Sequence, residues 1–337
     1  MTSSSDLRAA RGARCARRLA EGAAALGLAA CGGGAPPDPV AARGAGEAVA
    51  AVGRCAPPDR TGAVDVQTQL GLPYATADGD TLRLDIARPG GRGPHPVVVL
   101  LHGGGWEGGD RRAMHAEARL LAARGYAAVA VSYRLTQAPR NVFPAAVRDV
   151  RCAVRWLRTR SASLDLDGGR IGALGFSAGA HLASMLGVAA EVPALDRGAA
   201  ACLAASDASP AVQAVVSVAG PQDLRVRGPY TQEQARLVTN FLGAFPGDAP
   251  ALAELASPIA HVGARAAPFL LVHGTRDELV PVEHARRMRD ALRGAGVPAT
   301  VLELRGAGHV FPALDAPDRP EVGCTTLAFL ERWLRGR

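Results

Sequence analysis

From about residue 64 onward, short apolar runs alternate with longer amphipathic stretches, a pattern that predicts strands separated by helices. "VDVQTQL" and "TLRLDIARP" read as an opening antiparallel pair, the second with Leu82, Leu84 and Ile86 at alternate positions. "HPVVVLL" is apolar almost throughout, as expected of a central strand covered on both faces. A helical stretch, "AMHAEARLLAARG", then closes at Gly125, and "YAAVAVSYRL" reads as a buried strand. Phe143, Val147, Val150, Val154 and Leu157 follow at spacings of four, three, four and three, which marks one apolar helix face. "RIGALGF" is a strand that runs into the helix "SAGAHLASMLGVAA" with no loop between them. "AVQAVVSVAG" and "APFLLVHG" are further strands, "PVEHARRMRDALRGAG" a helix, "ATVLELRG" a last strand and "CTTLAFLERWLR" a last helix. The whole predicts an α/β fold, a mostly parallel central sheet with helices on both faces. Residues 190–210 and 221–262 show no strand and read as insertions, the second expected to wall or cover a site.

The N-terminal part follows other rules. Residues 31–62, rich in Gly, Ala and Pro without amphipathic period, read as a disordered linker, which leaves 63–337 as the folded domain. Residues 1–30 carry a basic stretch from Arg8 to Arg18 and a short apolar run ending in "LAAC". This resembles a bacterial lipoprotein signal, and the resemblance implies cleavage before Cys31 and lipid on its thiol. The expectation is an exported protein, held at the cell envelope only through that lipid. Glu21 and Gly22 shorten the apolar run to roughly eight residues, near the lower limit for a signal. The alternative is an Ala-rich tail on a cytoplasmic protein. No run approaches the roughly 18 apolar residues of a membrane-spanning helix.

Charge narrows the function classes. The formal charge is +7, and the 38 basic residues are all arginine, a coding bias more than a sign of a partner. Five of those arginines, against Asp6 and Glu21, fall in residues 1–30, and no basic block with interleaved aromatics occurs beyond them. Nucleic acid is therefore not an expected partner. Of six cysteines, Cys15 lies in the signal-like segment and Cys31 would carry lipid. In an exported chain Cys55, Cys152, Cys202 and Cys324 could form two disulfides, with three connectivities that sequence does not separate.

The candidate chemistry sits at strand ends. "GFSAG" places Ser177 between Gly175 and Gly179 at the strand-to-helix junction, where a sharp turn exposes a nucleophile. Of eight histidines, His309 in "RGAGHVF" follows the last strand, where a loop can carry it to the sheet's carboxyl edge. Asp277 follows the strand "FLLVHG", with its neighbour Glu278 as the alternate acid. The chain order Ser177, Asp277, His309 is that of the α/β-hydrolases. "HGGGW" at 102–106 follows the "VVVLL" strand, and bare glycine backbone there would aim amide hydrogens at an oxyanion, joined by the amide of Ala178 at the helix N-terminus. Neither a phosphate-loop nor a dinucleotide fingerprint follows a strand, and no His/Cys spacing suggests a metal, so neither cofactor nor metal is expected.

These pieces, with "VSYRL" at 131–135, "FPAAVRDV" at 143–150, "ASPIAHV" at 256–262 and "HGTRDELVP" at 273–281, resemble the α/β-hydrolase carboxylesterases of the hormone-sensitive-lipase type. The resemblance is nearest to the branch with feruloyl and acetylxylan esterases, and spans about residues 65–335. It implies Ser177 as nucleophile, His309 as base, Asp277 as its orienter, and an oxyanion hole of the Gly104, Gly105 and Ala178 amides, with Gly103 serving the turn. His102 and Trp106 read as structural neighbours of the hole, His181 and His273 as packing residues, and His95, His115, His261 and His284 as ordinary core or surface residues. The expected substrate is a small-molecule or carbohydrate-linked ester. The rivals are an amide-bond hydrolase, such as an arylformamidase or small peptidase, and a non-catalytic binding protein on the same fold. A histidine base predicts activity that rises with pH through the ordinary imidazole range. Which ester is cleaved, and the oligomeric state, are not written in the sequence.

Overall fold

The computed structural model of the chain describes residues 65–196, 201–204, 207–225, 231–311, 314 and 319–336. The signal-like segment, Cys31, the linker and Cys55 lie outside them. The described residues fall within one compact unit and contain a single sheet of nine strands: β1 (Val66–Ala77), β2 (Asp80–Pro89), β3 (His95–Leu101), β4 (Ala127–Val131), β5 (Leu166–Phe176), β6 (Ala201–Cys202), β7 (Ala214–Val218), β8 (Phe269–Gly274) and β9 (Ala299–Leu304). Their order across the sheet is β6-β1-β2-β4-β3-β5-β7-β8-β9. From β4 to β9 every neighbouring pair is parallel, and β1, β2 and β6 complete one edge antiparallel.

The helices are α1 (His115–Ala122), α2 (Ala145–Arg160), α3 (Ala178–Val188), α4 (Gln232–Leu242), α5 (Pro250–Leu255), α6 (Glu283–Gly294) and α7 (Pro320–Arg335). Alternation along β3 divides the core in two. Val97, Val99 and Leu101 join Val147, Val150 and Val154 of α2, Leu182 and Met185 of α3 and Met288 of α6 on one face. Val98 and Leu100 join Leu121 of α1 and Leu330 and Leu334 of α7 on the other. This is why "VVVLL" is apolar without a break: a strand with helices on both sides has no face left for polar residues. Each fully buried aliphatic side chain contributes roughly 1.5–3 kcal/mol.

One expectation is corrected. Residues 190–210 were expected to hold no strand, yet Ala201 and Cys202 form β6, with Cys202 opposite Ala75 of β1. A two-residue strand has no period to read. Cys202 is also disulfide-bonded to Cys152 of α2, their Cα atoms 5.7 Å apart, which ties this insertion to the sheet edge. Cys324 is disulfide-bonded too. The second insertion carries α4 and α5, and α4 stands beside the candidate site.

Candidate active site

Ser177 joins β5 to α3 with φ +51° and ψ −116°. For a residue with a side chain such a conformation costs about 1–3 kcal/mol and persists only where its surroundings impose it. Ser177 N–H donates to Val218 O of the adjacent strand (2.8 Å), and its carbonyl accepts the first α3 bond from His181 N–H (3.0 Å). The turn closes tightly enough that a Cβ on Gly179 would strike the carbonyl oxygens of Leu101 and His102. Only glycine lets β3 and α3 approach so closely.

Three distant segments meet at this turn. Asp277, in the turn after β8, receives the His309 Nδ1–H on Oδ2 at 2.8 Å, and His309 Nε2 lies 2.9 Å from Ser177 Oγ. A carboxylate only accepts, so the imidazole proton sits on Nδ1 and Nε2 is left to accept the serine hydroxyl proton. Asp277 Oδ1 accepts the backbone N–H groups of Leu279 (3.0 Å) and Val280 (2.8 Å). His273 Nε2–H is shared between Val280 O (2.7 Å) and Asp277 Oδ2 (3.2 Å). Burial works to raise the Asp277 pKa, but the bonds from His273, His309 and the Val280 amide outweigh it and hold the carboxyl well below the usual carboxylate range. Glu278, the alternate acid, points to solvent. His273, expected only to pack, instead helps hold the carboxylate.

The glycine loop lies against the serine, since a Cβ on Gly103 would stand 3.3 Å from Ser177 Cβ. Gly104 has φ +122°, and its carbonyl accepts from the amides of Glu107 (3.1 Å) and Gly108 (2.9 Å), which curls the loop back on itself. Trp106 then turns inward. Its ring stacks on Phe241 of α4 at 4.3 Å, and its Nε1–H donates to His181 Nδ1 at 3.3 Å. His181 Nε2–H donates in turn to Ala256 O at 2.7 Å, so both ring nitrogens are satisfied by a neutral imidazole. Burial pushes the His181 pKa down to about 4. Trp106 O accepts Thr136 N–H (2.8 Å), and the 132–136 segment is itself fixed by Arg134, which forks onto the buried Asp149 of α2 at 2.8–3.1 Å. Tyr133 stacks on His102 at 4.3 Å and donates its hydroxyl to His102 O at 2.8 Å.

A cavity of about 990 Å³ opens over Ser177 and His309 and is lined also by His102, Gly103, Gly104 and Gly105. Ala178, the first residue of α3 and the neighbour of Ser177, is buried. Ser177 and His309 thus share one cavity with Gly104 and Gly105, Asp277 lies behind the imidazole and Ala178 follows Ser177 in the chain; Cys31 lies outside the described residues. Pattern reading missed much of the wall, including Phe176, Val310 and Phe311 beside the histidine, and Glu107 with Arg236 and Leu237 of α4. No motif marks α4, whose contribution depends on where an insertion folds. His284, expected to be an ordinary residue, is half-buried between three elements. Its Nδ1 accepts the amides of Gln222 (3.2 Å) and Asp223 (3.3 Å), and Gln234 of α4 abuts its Nε2 at 3.2 Å. Among the described residues, no group of three His, Cys, Asp or Glu is arranged to hold a metal ion.

Sheet order, strand-to-helix elbow and the Ser-His-Asp chain define an α/β-hydrolase. The BD-FAE family model matches residues 84–292, and the chain belongs to that family. It is 35% identical over 251 residues to esterase LipC of Mycobacterium tuberculosis, an alignment covering 72% of this chain and 60% of LipC. Among solved structures it is similar to Thermogutta terrifontis esterase 2. The propionate-bound form gives a TM-score of 0.62 at 26% identity, covering 81% of this chain and 95% of that one. The form phosphonylated by sarin gives 0.65 at 27%, with the same coverage. The resemblance to α/β-hydrolase esterases expected from the motifs is borne out.

Proposed function

We propose that the protein is a serine carboxylic ester hydrolase working through an acyl-enzyme, on short-chain or carbohydrate-linked esters. The observation that carries the reading is the continuous hydrogen-bonded chain from Ser177 through His309 to Asp277 at a strained strand-to-helix turn. Ser177 Oγ attacks the ester carbonyl carbon while its proton passes to His309 Nε2. The amides of Gly104, Gly105 and Ala178 take the charge that develops on the carbonyl oxygen, each such donor being worth about 3 kcal/mol. As the tetrahedral species collapses, Nε2 returns the proton to the departing alcohol oxygen. Water then repeats the cycle on the acyl-enzyme, giving its proton to Nε2 and releasing the carboxylic acid and free Ser177. No step calls for a cofactor.

Ester substrates are favoured by the relatives: LipC is called an esterase, and the similar Thermogutta terrifontis enzyme has been observed with propionate. The test is Ser177→Ala measured with a 4-nitrophenyl acyl ester, an acetylated xylan, a formamide and a dipeptide, together with labelling by an organophosphonate. Ester turnover lost in the variant, with labelling confined to Ser177 in the wild type, is the expected result. Preferred turnover of the formamide or dipeptide would move the reading to an amide hydrolase, and an unlabelled, inactive wild type to a binding protein. We further propose export with a lipid anchor on Cys31. A disulfide between Cys152 and Cys202 supports an oxidising compartment, and partition of the native protein into the detergent phase, with lipid on Cys31, would test it.

A further inference from the structure

We propose that Leu237 sets the upper limit on the acyl group this site accepts, an inference that deepens the ester-hydrolase reading and rests on it. Leu237 lies on α4 and lines the cavity over Ser177. A Cβ built on Gly105 would stand 2.6 Å from Leu237 Cδ2 and 3.3 Å from Cδ1. The leucine therefore fills the space beside Gly105 that a side chain there would occupy.

The helix holds that leucine in place from both sides. Arg236, just before it, donates to Glu107 at 3.1 Å, and Asn240, one turn on, donates to the same carboxylate at 2.5 Å. Phe241 stacks on Trp106. Glu107 and Trp106 directly follow Gly105, so loop and helix form one body. The ion pair is half exposed and contributes little alone; the buried Trp106–Phe241 stack carries the attachment.

The direction of the acyl chain follows from the chemistry. The departing oxygen has to reach His309 Nε2, so the alcohol portion lies on the histidine's side, along Phe176, Val310 and Phe311. The carbonyl oxygen faces the glycine amides. Of the walls that remain, Ala113, Met114 and Glu117 on the one hand and Gly105 with Leu237 on the other, the acyl chain is set against Leu237, the side chain that abuts the glycine loop itself. Short acyl groups fit ahead of the isobutyl group, and longer chains run into it.

The experiment measures kcat/KM of the full chain for 4-nitrophenyl acetate, butyrate, hexanoate and octanoate in the wild type, Leu237→Ala and Leu237→Phe. The wild type should fall off beyond butyrate. Leu237→Ala opens room for about three carbons, and at about fourfold per newly buried methylene the hexanoate-to-acetate ratio should rise at least tenfold. Leu237→Phe should lower the butyrate-to-acetate ratio below that of the wild type. Unchanged ratios in both variants would overturn the proposal. So would an equal loss on every ester in Leu237→Ala, since that marks a positioning effect. A wild type without Ser177-dependent turnover of any ester would overturn the parent reading and this one with it, an outcome distinct from unchanged ratios in an active enzyme.

Discussion

Replacing Asp277 by Asn tests the site most sharply, because its surroundings fix which way the new amide faces. Asp277 Oδ1 accepts two backbone N–H groups, from Leu279 and Val280. An amide NH₂ there would oppose two donors, so the asparagine keeps its oxygen in that place and turns its NH₂ toward His309. Nδ1 of His309, now facing a donor, can be satisfied only as an acceptor, which moves the imidazole proton to Nε2. That proton points at Ser177 Oγ, 2.9 Å away, and no base remains. A wrong tautomer in a triad of this kind lowers kcat by about 10⁴-fold, or about 5 kcal/mol in the barrier. The fold should survive, because His273 keeps its 2.7 Å bond to Val280 O. The assay is kcat for 4-nitrophenyl acetate at pH 8, with circular dichroism and thermal unfolding as controls. A folded Asp277→Asn protein retaining more than about one-hundredth of wild-type kcat would refute the tautomer argument.

Two further outcomes follow from the packing. His181 and His284 are held at a pKa of about 4, chiefly by burial, whereas an unfolded histidine titrates near 6.5. Between those values the unfolded chain binds more protons than the folded one, so stability is full above about pH 6.5 and falls as the pH drops toward 4, by up to about 1.4 kcal/mol per pH unit for each group. Urea unfolding at pH 7 and pH 5 measures the loss, and a His284→Gln variant should show a shallower pH slope; an unchanged slope would remove His284 from this role. Reducing the Cys152–Cys202 bond, which closes a sequence separation of 50, frees chain entropy in the unfolded state worth up to about 4 kcal/mol. Thermal unfolding of Cys202→Ser should therefore begin well below that of the oxidised wild type, and an unshifted midpoint would contradict this account.

Much of the site was legible because its demands are local. A positive-φ serine between a strand and a helix, and a glycine loop after a central strand, are written in contiguous residues, since only certain side chains tolerate those backbone conformations. Asp277 and His309 were legible as positions at strand ends, and the helix faces and apolar strands were legible through their periods. The sequence by itself thus determined the elements, the elbow and the order in which the site's parts occur. Tertiary structure alone decided that Asp277 and not Glu278 faces the imidazole, that His273 braces the carboxylate, that Cys152 pairs with Cys202, and that α4 brings Leu237 against Gly105. The physical reason is distance along the chain: Ser177 and His309 are 132 residues apart, and Glu107 and Arg236 are 129 apart. Contacts of that range leave no periodic trace, and they are fixed only when both faces of the sheet have been packed.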